Sequence, residues 1–319
     1  MRVAVPAYAF AQFPPLVDEL KAMHPDSKVN TAGERYYLSE ERVIEYLQGY
    51  DAAIVSFEPI NDRVLSALPE LKVVAKLGVG LDKVDPHAMR KHGVRLGWAG
   101  GVNKRSVAEL ALCLMLMGLR HVTPLIADMK AGKGPLPILG RDLSGCTLGI
   151  HGCGHIGKEV VKLVQPFGCK VLACDILDMG DFYRQYGVEA VSFDDLLARS
   201  DVLSVHLTVT KKTRNIYDRA AFSRMKPGAV FVNTARGLLV DEAALKEALI
   251  NGPISCAGID AFAVEPPADK EFLALPNLIP TPHSGACTVD ARIAMGRNAV
   301  RGLTENFLPE PGKPPFDDR

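Results

Sequence analysis

Three stretches of the 319-residue chain end an apolar, strand-like run in a side chain that could do charge or proton chemistry. Val232-Asn233-Thr234-Ala235-Arg236-Gly237 delivers a cation, and Gly258-Ile259-Asp260-Ala261-Phe262-Ala263-Val264-Glu265-Pro266-Pro267 delivers two acids. Pro280-Thr281-Pro282-His283-Ser284-Gly285 delivers a histidine. Open α/β folds bind ligands beyond the C-terminal ends of their strands, so three such ends can serve one site. Arg236 offers a planar fork matched to a carboxylate. An imidazole exchanges protons near neutral pH, which makes His283 the candidate acid/base. Glu265 can accept a hydrogen bond from that ring and fix its orientation. Read singly, each has a plainer explanation: a strand-end arginine as an ion-pair partner, a Pro-His pair as a turn, Asp260 and Glu265 as caps.

A fourth stretch is Leu148-Gly149-Ile150-His151-Gly152-Cys153-Gly154-His155-Ile156-Gly157, a G-x-G-x-x-G loop between an apolar strand and a helix-like segment, Lys158–Phe167. Gly152 allows the tight turn, Gly154 lets backbone approach a pyrophosphate, and Gly157 lets the helix pack close to the strand. Such loops are common by themselves. This one is followed by a second strand ending in Asp175, about 20 residues on, where an acid accepts from the adenosine ribose hydroxyls. Asp175 would repel a 2′-phosphate, and Ile176-Leu177-Asp178 supplies no cation to attract one. The expected cofactor is NAD. His155 is read equally as a phosphate contact or a solvated loop residue.

The elements that must position these residues read as alternating strands and helices. Expected strands are Arg2–Val5, Ala52–Phe57, Val73–Lys76, Val94–Trp98, Thr147–Ile150, Lys170–Cys174, Val202–Val205, Val230–Asn233 and Ile254–Ile259. Strands separated by amphipathic segments mean βαβ units and parallel sheets. Asn103–Arg120 reads as a long apolar helix. Asp241–Asn251 reads as a helix opened by acids and stopped at Gly252-Pro253. Val289, Ile293, Gly296, Val300, Leu303 and Phe307 recur at helical spacing and predict one buried face. The Pro-rich tail after Leu308 is expected to lie extended on the surface. Domain boundaries are placed near Gly100 and Ala286.

Taken in order, these segments resemble the D-isomer-specific 2-hydroxyacid dehydrogenases, which include phosphoglycerate dehydrogenases and glyoxylate/hydroxypyruvate reductases. The family-like stretches are Lys76-Leu77-Gly78-Val79-Gly80-Leu81-Asp82, Asn103 to Glu109, the glycine loop, Asn233 to Asp241, Asp260 to Pro266 and Pro282 to Gly285. The resemblance implies two doubly wound parallel-sheet domains, usually paired as a homodimer, with the active site in the cleft between them. A flavodoxin-like substrate domain would be discontinuous, 1–99 and 286–319, around a Rossmann-type NAD domain, 100–285. It implies His283 as acid/base, Glu265 as its partner and Arg236 as the substrate-binding arginine. Lys76 and the backbone of Val79 and Gly80 would hold the substrate carboxylate. The cofactor would meet Gly152, Gly154, His155, Ile156, Gly157, Asp175, His206, Thr234, Ala235, Asp260 and His283. His206 also reads as a packing residue. His24, His87, His92, His121 and His151 belong to no constellation. Two departures stand out: Thr208 replaces the family's usual proline near the adenosine, and Lys76 stands where phosphoglycerate dehydrogenases usually carry arginine.

Composition removes other classes. Lys plus Arg and Asp plus Glu both number 37, so no net field draws the chain to nucleic acid or anionic lipid. No apolar run approaches the ~20 residues of a membrane helix, and the N-terminus reads as no signal peptide. Seven scattered cysteines without CxxC spacing fit reduced thiols in a cytoplasmic protein rather than a disulfide framework or a metal site. The expected substrate is a small unphosphorylated 2-keto acid such as glyoxylate, hydroxypyruvate or pyruvate. In Ser56-Phe57-Glu58-Pro59-Ile60 a carboxylate would repel a phosphate, and no added regulatory domain is expected after Arg319. The alternatives are D-3-phosphoglycerate dehydrogenase, a same-fold enzyme of another substrate such as phosphite or formate, and an NAD-binding corepressor-like regulator.

Overall fold

The computed structural model describes residues 1–134 and 138–316. The chain divides into two compact units, Met1–Asn103 with Cys287–Arg319, and Lys104–Ala286.

The first unit holds five parallel strands: β1 (Val3–Val5), β2 (Lys28–Val29), β3 (Ala52–Val55), β4 (Val73–Lys76) and β5 (Arg95–Gly97), in the order β2-β1-β3-β4-β5. β1, β3 and β4 are buried along their whole length, as a parallel sheet covered on both faces requires. The helix Val289–Gly302 returns to this unit, and glycines set its approach. A Cβ on Gly97 would lie 2.2 Å from the Gly302 carbonyl oxygen, and one on Gly296 would lie 2.1 Å from a Leu16 methyl. Its expected face needs correcting. Val289 is exposed, the buried positions include Ala291, Met295, Gly296, Ala299 and Val300, and the helix ends before Leu303. Phe307 instead forms an antiparallel bridge with Leu96. The tail is not extended either. It turns at 312–316, where Gly312 N–H donates to Phe316 O, and Phe316 enters the core. Its last three residues lie outside the described set.

The second unit holds seven parallel strands: β6 (Thr147–His151), β7 (Lys170–Cys174), β8 (Val188–Ala190), β9 (Val202–Val205), β10 (Ala229–Asn233), β11 (Ile254–Ile259) and β12 (Leu278–Pro280). Their order is β12-β11-β10-β9-β6-β7-β8, so the winding reverses between β6 and β9 and opens a crevice at the end of β6. The helix Lys104–Leu119 lies on β10 and β11. A Cβ on Gly118 would meet a Val230 methyl at 2.7 Å, and one on Gly258 would meet Leu114 Cβ at 2.8 Å. The helix Glu242–Ile250 is capped by Asp241, whose Oδ1 accepts from Ala243 N and Ala244 N, both at 3.0 Å. All seven cysteines are free thiols. No single described helix is long and apolar enough to cross a membrane.

Candidate active site

β10 is buried to its end, and its last side chain shapes the turn beyond it. Asn233 Oδ1 accepts from Ala235 N at 3.0 Å, and its Nδ2 donates to Arg236 O at 2.9 Å. This closes a local turn in the way asparagine does at strand ends. Arg236 keeps partial exposure, and its Nη1 donates to Ala235 O at 2.8 Å. Gly237 then touches the loop that leaves β11. A Cβ there would stand 1.9 Å from the carbonyl carbon of Phe262 and 2.1 Å from Ala263 N. The turn carrying Arg236 is therefore seated on the loop carrying Glu265.

His283 Nδ1 lies 3.0 Å from both carboxylate oxygens of Glu265, and both side chains are about 40 % exposed. A carboxylate only accepts, so Nδ1 carries the proton in this pair and Nε2 is the atom that gains or loses one. Glu265 Oε1 also accepts from Phe262 N at 3.1 Å, tying the acid to its own loop. The histidine adopts φ +54°, a left-handed conformation uncommon outside glycine, and its N–H donates to Asp260 O and Thr281 O. Asp260 is only 1 % exposed. Its Oδ1 accepts from Thr281 Oγ1 (2.6 Å), Ser284 N (2.7 Å) and Ser284 Oγ (3.3 Å), and its Oδ2 from Gly285 N (2.9 Å). The whole 281–285 loop is thus wrapped around one buried carboxylate. The sequence signal for this was Thr281 and Ser284 flanking the histidine; Asn233 and Thr281 act here as organisers that motif reading passed over.

The glycine loop meets the requirements of a dinucleotide. Gly152 has φ +90°, and a Cβ there would press on the His206 backbone at 2.8 Å. Gly157 sits against Gly152 O, where a Cβ would stand at 2.2 Å, while a Cβ on Gly154 would enter open space. The helix His155–Val164 starts at Gly154 without a side-chain cap, so its first N–H groups remain for an anion. His155 is exposed and Ile156 partly buried. Asp175 Oδ2 accepts from Cys153 N at 2.6 Å and Oδ1 from Leu177 N at 2.9 Å, so the acid braces the loop and keeps lone pairs for hydroxyls. Among the described residues, Thr234 Oγ1 and His206 Nδ1 are buried without a hydrogen-bond partner, as polar atoms reserved for a ligand would be. Burial, with His151 nearby, pushes the His206 pKa down to about 3, so the ring is neutral. Its Nε2 is 3.0 Å from Ser204 Oγ. His151, unassigned by the sequence, is buried with its Nδ1 2.6 Å from Tyr217 Oη and its ring stacked on Phe193.

In the first unit, Lys76 ends β4 buried, and its Nζ donates to the carbonyls of Ser56 and Leu77. Gly78 takes φ +114°, which glycine alone adopts freely, and Trp98 Nε1 donates to Val79 O at 3.0 Å. Glu58 does not face a ligand as the sequence suggested. It is 2 % exposed, its Oε2 accepts from Ser56 N at 2.6 Å, and burial raises its pKa. Phe57 is the exposed residue of that loop.

Residues 112–285 match the family described as D-isomer specific 2-hydroxyacid dehydrogenase, NAD binding domain. A hydroxypyruvate reductase of Thermotoga maritima is 37 % identical over 272 residues, covering 84 % of this chain and 88 % of that protein. A D-3-phosphoglycerate dehydrogenase of Mycobacterium leprae is 39 % identical over 266 residues, 82 % of this chain, and the match spans 50 % of its length. The crystal structure of a glyoxylate reductase from Paecilomyes thermophila is similar with a TM-score of 0.81 at 29 % identity, covering 95 % of this chain and 94 % of that one.

Proposed function

The chain belongs to the D-isomer-specific 2-hydroxyacid dehydrogenase family, and from that premise we propose that it interconverts a small, unphosphorylated 2-keto acid and its D-2-hydroxy acid with NAD. The observation that carries this reading is the Glu265–His283 pair, with the Arg236 turn seated on the same loop. When bound, NADH supplies the hydride that reaches C2. Arg236 pairs with the substrate carboxylate and stabilises negative charge growing on the keto oxygen, and the Val79–Gly80 loop is, by its resemblance, a carboxylate-binding loop. Protonated His283 donates from Nε2 to that oxygen; in oxidation, neutral His283 takes the proton from the hydroxyl. Glu265 holds the ring in the tautomer that leaves Nε2 facing the reaction. Asp175 favours NAD over NADP, and Gly152, Gly154 and Gly157 shape the loop for the pyrophosphate. Asp260 is assigned first to the 281–285 loop.

The test is steady-state NADH oxidation with glyoxylate, hydroxypyruvate, pyruvate and phosphohydroxypyruvate. Turnover of at least one unphosphorylated acid, abolished in His283→Ala, is expected. A higher kcat/KM for phosphohydroxypyruvate than for hydroxypyruvate would overturn the substrate assignment. No turnover of any of them would favour a regulator.

The partner reading is a homodimer. The helix Val122–Lys130 buries none of its residues, and Ile126 and Met129 are 46 % and 72 % exposed. Beside it lies an open apolar groove lined by Leu112, Cys113, Leu116, Met117 and Val122. Contiguous apolar surface of this kind marks interaction sites. Light scattering should give twice the chain mass, and Met129→Lys combined with Leu116→Glu should give a monomer.

A further inference from the structure

The chain has one tryptophan, and it stands beside the loop assigned to the substrate carboxylate. β4 and β5 are parallel neighbours, with Ala75 paired to Gly97. The residues that follow each strand therefore leave the sheet side by side: Lys76 to Gly80 from one, Trp98 from the other. Trp98 is partly buried and packs on the core cluster that contains Leu81 and Val84, so its ring is held from behind. Its Nε1–H donates to the Val79 carbonyl oxygen at 3.0 Å.

That bond has a geometric consequence. In a trans peptide the C=O of one residue and the N–H of the next lie in one plane and point in opposite directions. Fixing Val79 O toward the indole turns the Gly80 N–H away from it. Among the described residues, no backbone carbonyl accepts from the Gly80 N–H. Gly78, at φ +114°, gives the chain the turn that brings this peptide to the strand end. Lys76 Nζ, donating to Leu77 O at 3.4 Å, braces the Leu77–Gly78 peptide at the start of the same turn.

We propose that Trp98 is a positioning residue for the substrate: its indole N–H sets the Val79–Gly80 peptide so that the Gly80 N–H is presented to the carboxylate of the 2-keto acid. This rests on the reading that the loop receives that carboxylate. Trp98→Phe keeps an aromatic ring in the core and removes only the donor. With the peptide free to rotate, the carboxylate loses one oriented hydrogen bond.

Two measurements on the full chain test this. The KM for glyoxylate or pyruvate of Trp98→Phe should rise about 3–10-fold, the value of one hydrogen bond, while kcat and the NADH dissociation constant stay near wild type. In the wild type, oxamate at fixed saturating NADH should change the emission of the single tryptophan over the same concentrations that inhibit turnover. An unchanged KM in Trp98→Phe, with emission that does respond to oxamate, overturns the role of Trp98 and leaves the loop assignment standing. Emission insensitive to inhibitory oxamate removes the loop assignment and the proposal with it. A parallel loss of kcat, NADH affinity and melting temperature in Trp98→Phe makes the residue merely structural and also overturns the proposal.

Discussion

Gly237→Ala tests whether the contact between two loops assembles the active site. The turn carrying Arg236 and the loop carrying Glu265 meet at Gly237, where an added methyl would stand 1.9 Å from Phe262 C and 2.1 Å from Ala263 N. Both obstacles are backbone, so no side chain can swing aside. Real Cβ contacts are essentially never closer than 3.0 Å, so the two loops must part by about 1 Å or more. Misplacing a substrate-orienting group by about 1 Å can cost on the order of 100-fold, close to 2.7 kcal/mol of transition-state stabilisation. The expected result is a loss of that size in kcat/KM at saturating NADH. NADH binding should change less, because the glycine loop lies on β6. Gly145→Ala is the control, since a Cβ there meets nothing within 4 Å. If Gly237→Ala kept kcat/KM within about threefold of wild type, the premise that Arg236 acts from a fixed seat on the Glu265 loop would be wrong.

Other predictions follow from single contacts. His283→Ala should lose about 10²–10⁴-fold in turnover, the usual worth of general acid–base catalysis, with NADH affinity retained in equilibrium titration. Asp175→Ala should weaken NADH binding and narrow its advantage over NADPH. Asp175→Asn should lose less NADH affinity than Ala, because an amide oxygen can still accept from Cys153 N; equal losses would mean the brace is idle. Burial, partly offset by the Asp175 charge, lowers the His151 pKa to about 4 from 6.5. As pH falls through that window the unfolded chain takes the proton first, so stability present above pH 6.5 declines toward pH 4, by about 3 kcal/mol in all. The pair His151→Ile with Tyr217→Phe removes both polar partners and should take away the His151 share of this decline in urea denaturation at pH 7 and pH 4.5, leaving the share of buried His206, whose pKa is also lowered; an unchanged slope would discharge His151 from the effect.

Interior strands were legible because they are short, largely apolar runs: Val73–Lys76, Lys170–Cys174, Val202–Val205 and Ile254–Ile259 match their observed limits. The strands that sequence missed, β2, β8 and β12, are edges. Val188–Ala190 buries one residue of three and Leu278–Pro280 ends in proline, so neither carries a period to read. Spacing carried the helix face on to Phe307, although the helix ends at Gly302, because a helical period continues past a helix end when the following chain packs on the same core. Among the proposed site residues, motif order pointed to side chains that lie together in the structure, Glu265 with His283 and the Arg236 turn on the Glu265 loop. It could not deliver those that act on the backbone. Asn233 and Trp98 bond to the backbone of turns and Thr281 to the buried Asp260 carboxylate, and such bonds depend on which strands are neighbours.

The phosphate question shows what that difference means for function. A glutamate in the 56–60 loop suggested repulsion of a phosphorylated substrate, yet Glu58 is buried, faces Ser56 N and is pushed toward its neutral form. Its carboxyl is turned onto its own loop rather than exposed. The argument for an unphosphorylated substrate passes instead to Lys76. It is buried and donates to the carbonyls of Ser56 and Leu77, so it helps to hold two loops. A phosphate placed beside this loop would meet the exposed ring of Phe57, which offers no donor. Drawing Lys76 toward a phosphate would compete with its bonds to both loops, including the one that carries Val79 and Gly80. That competition is the physical ground for proposing an unphosphorylated substrate, and the kcat/KM comparison of phosphohydroxypyruvate with hydroxypyruvate decides it.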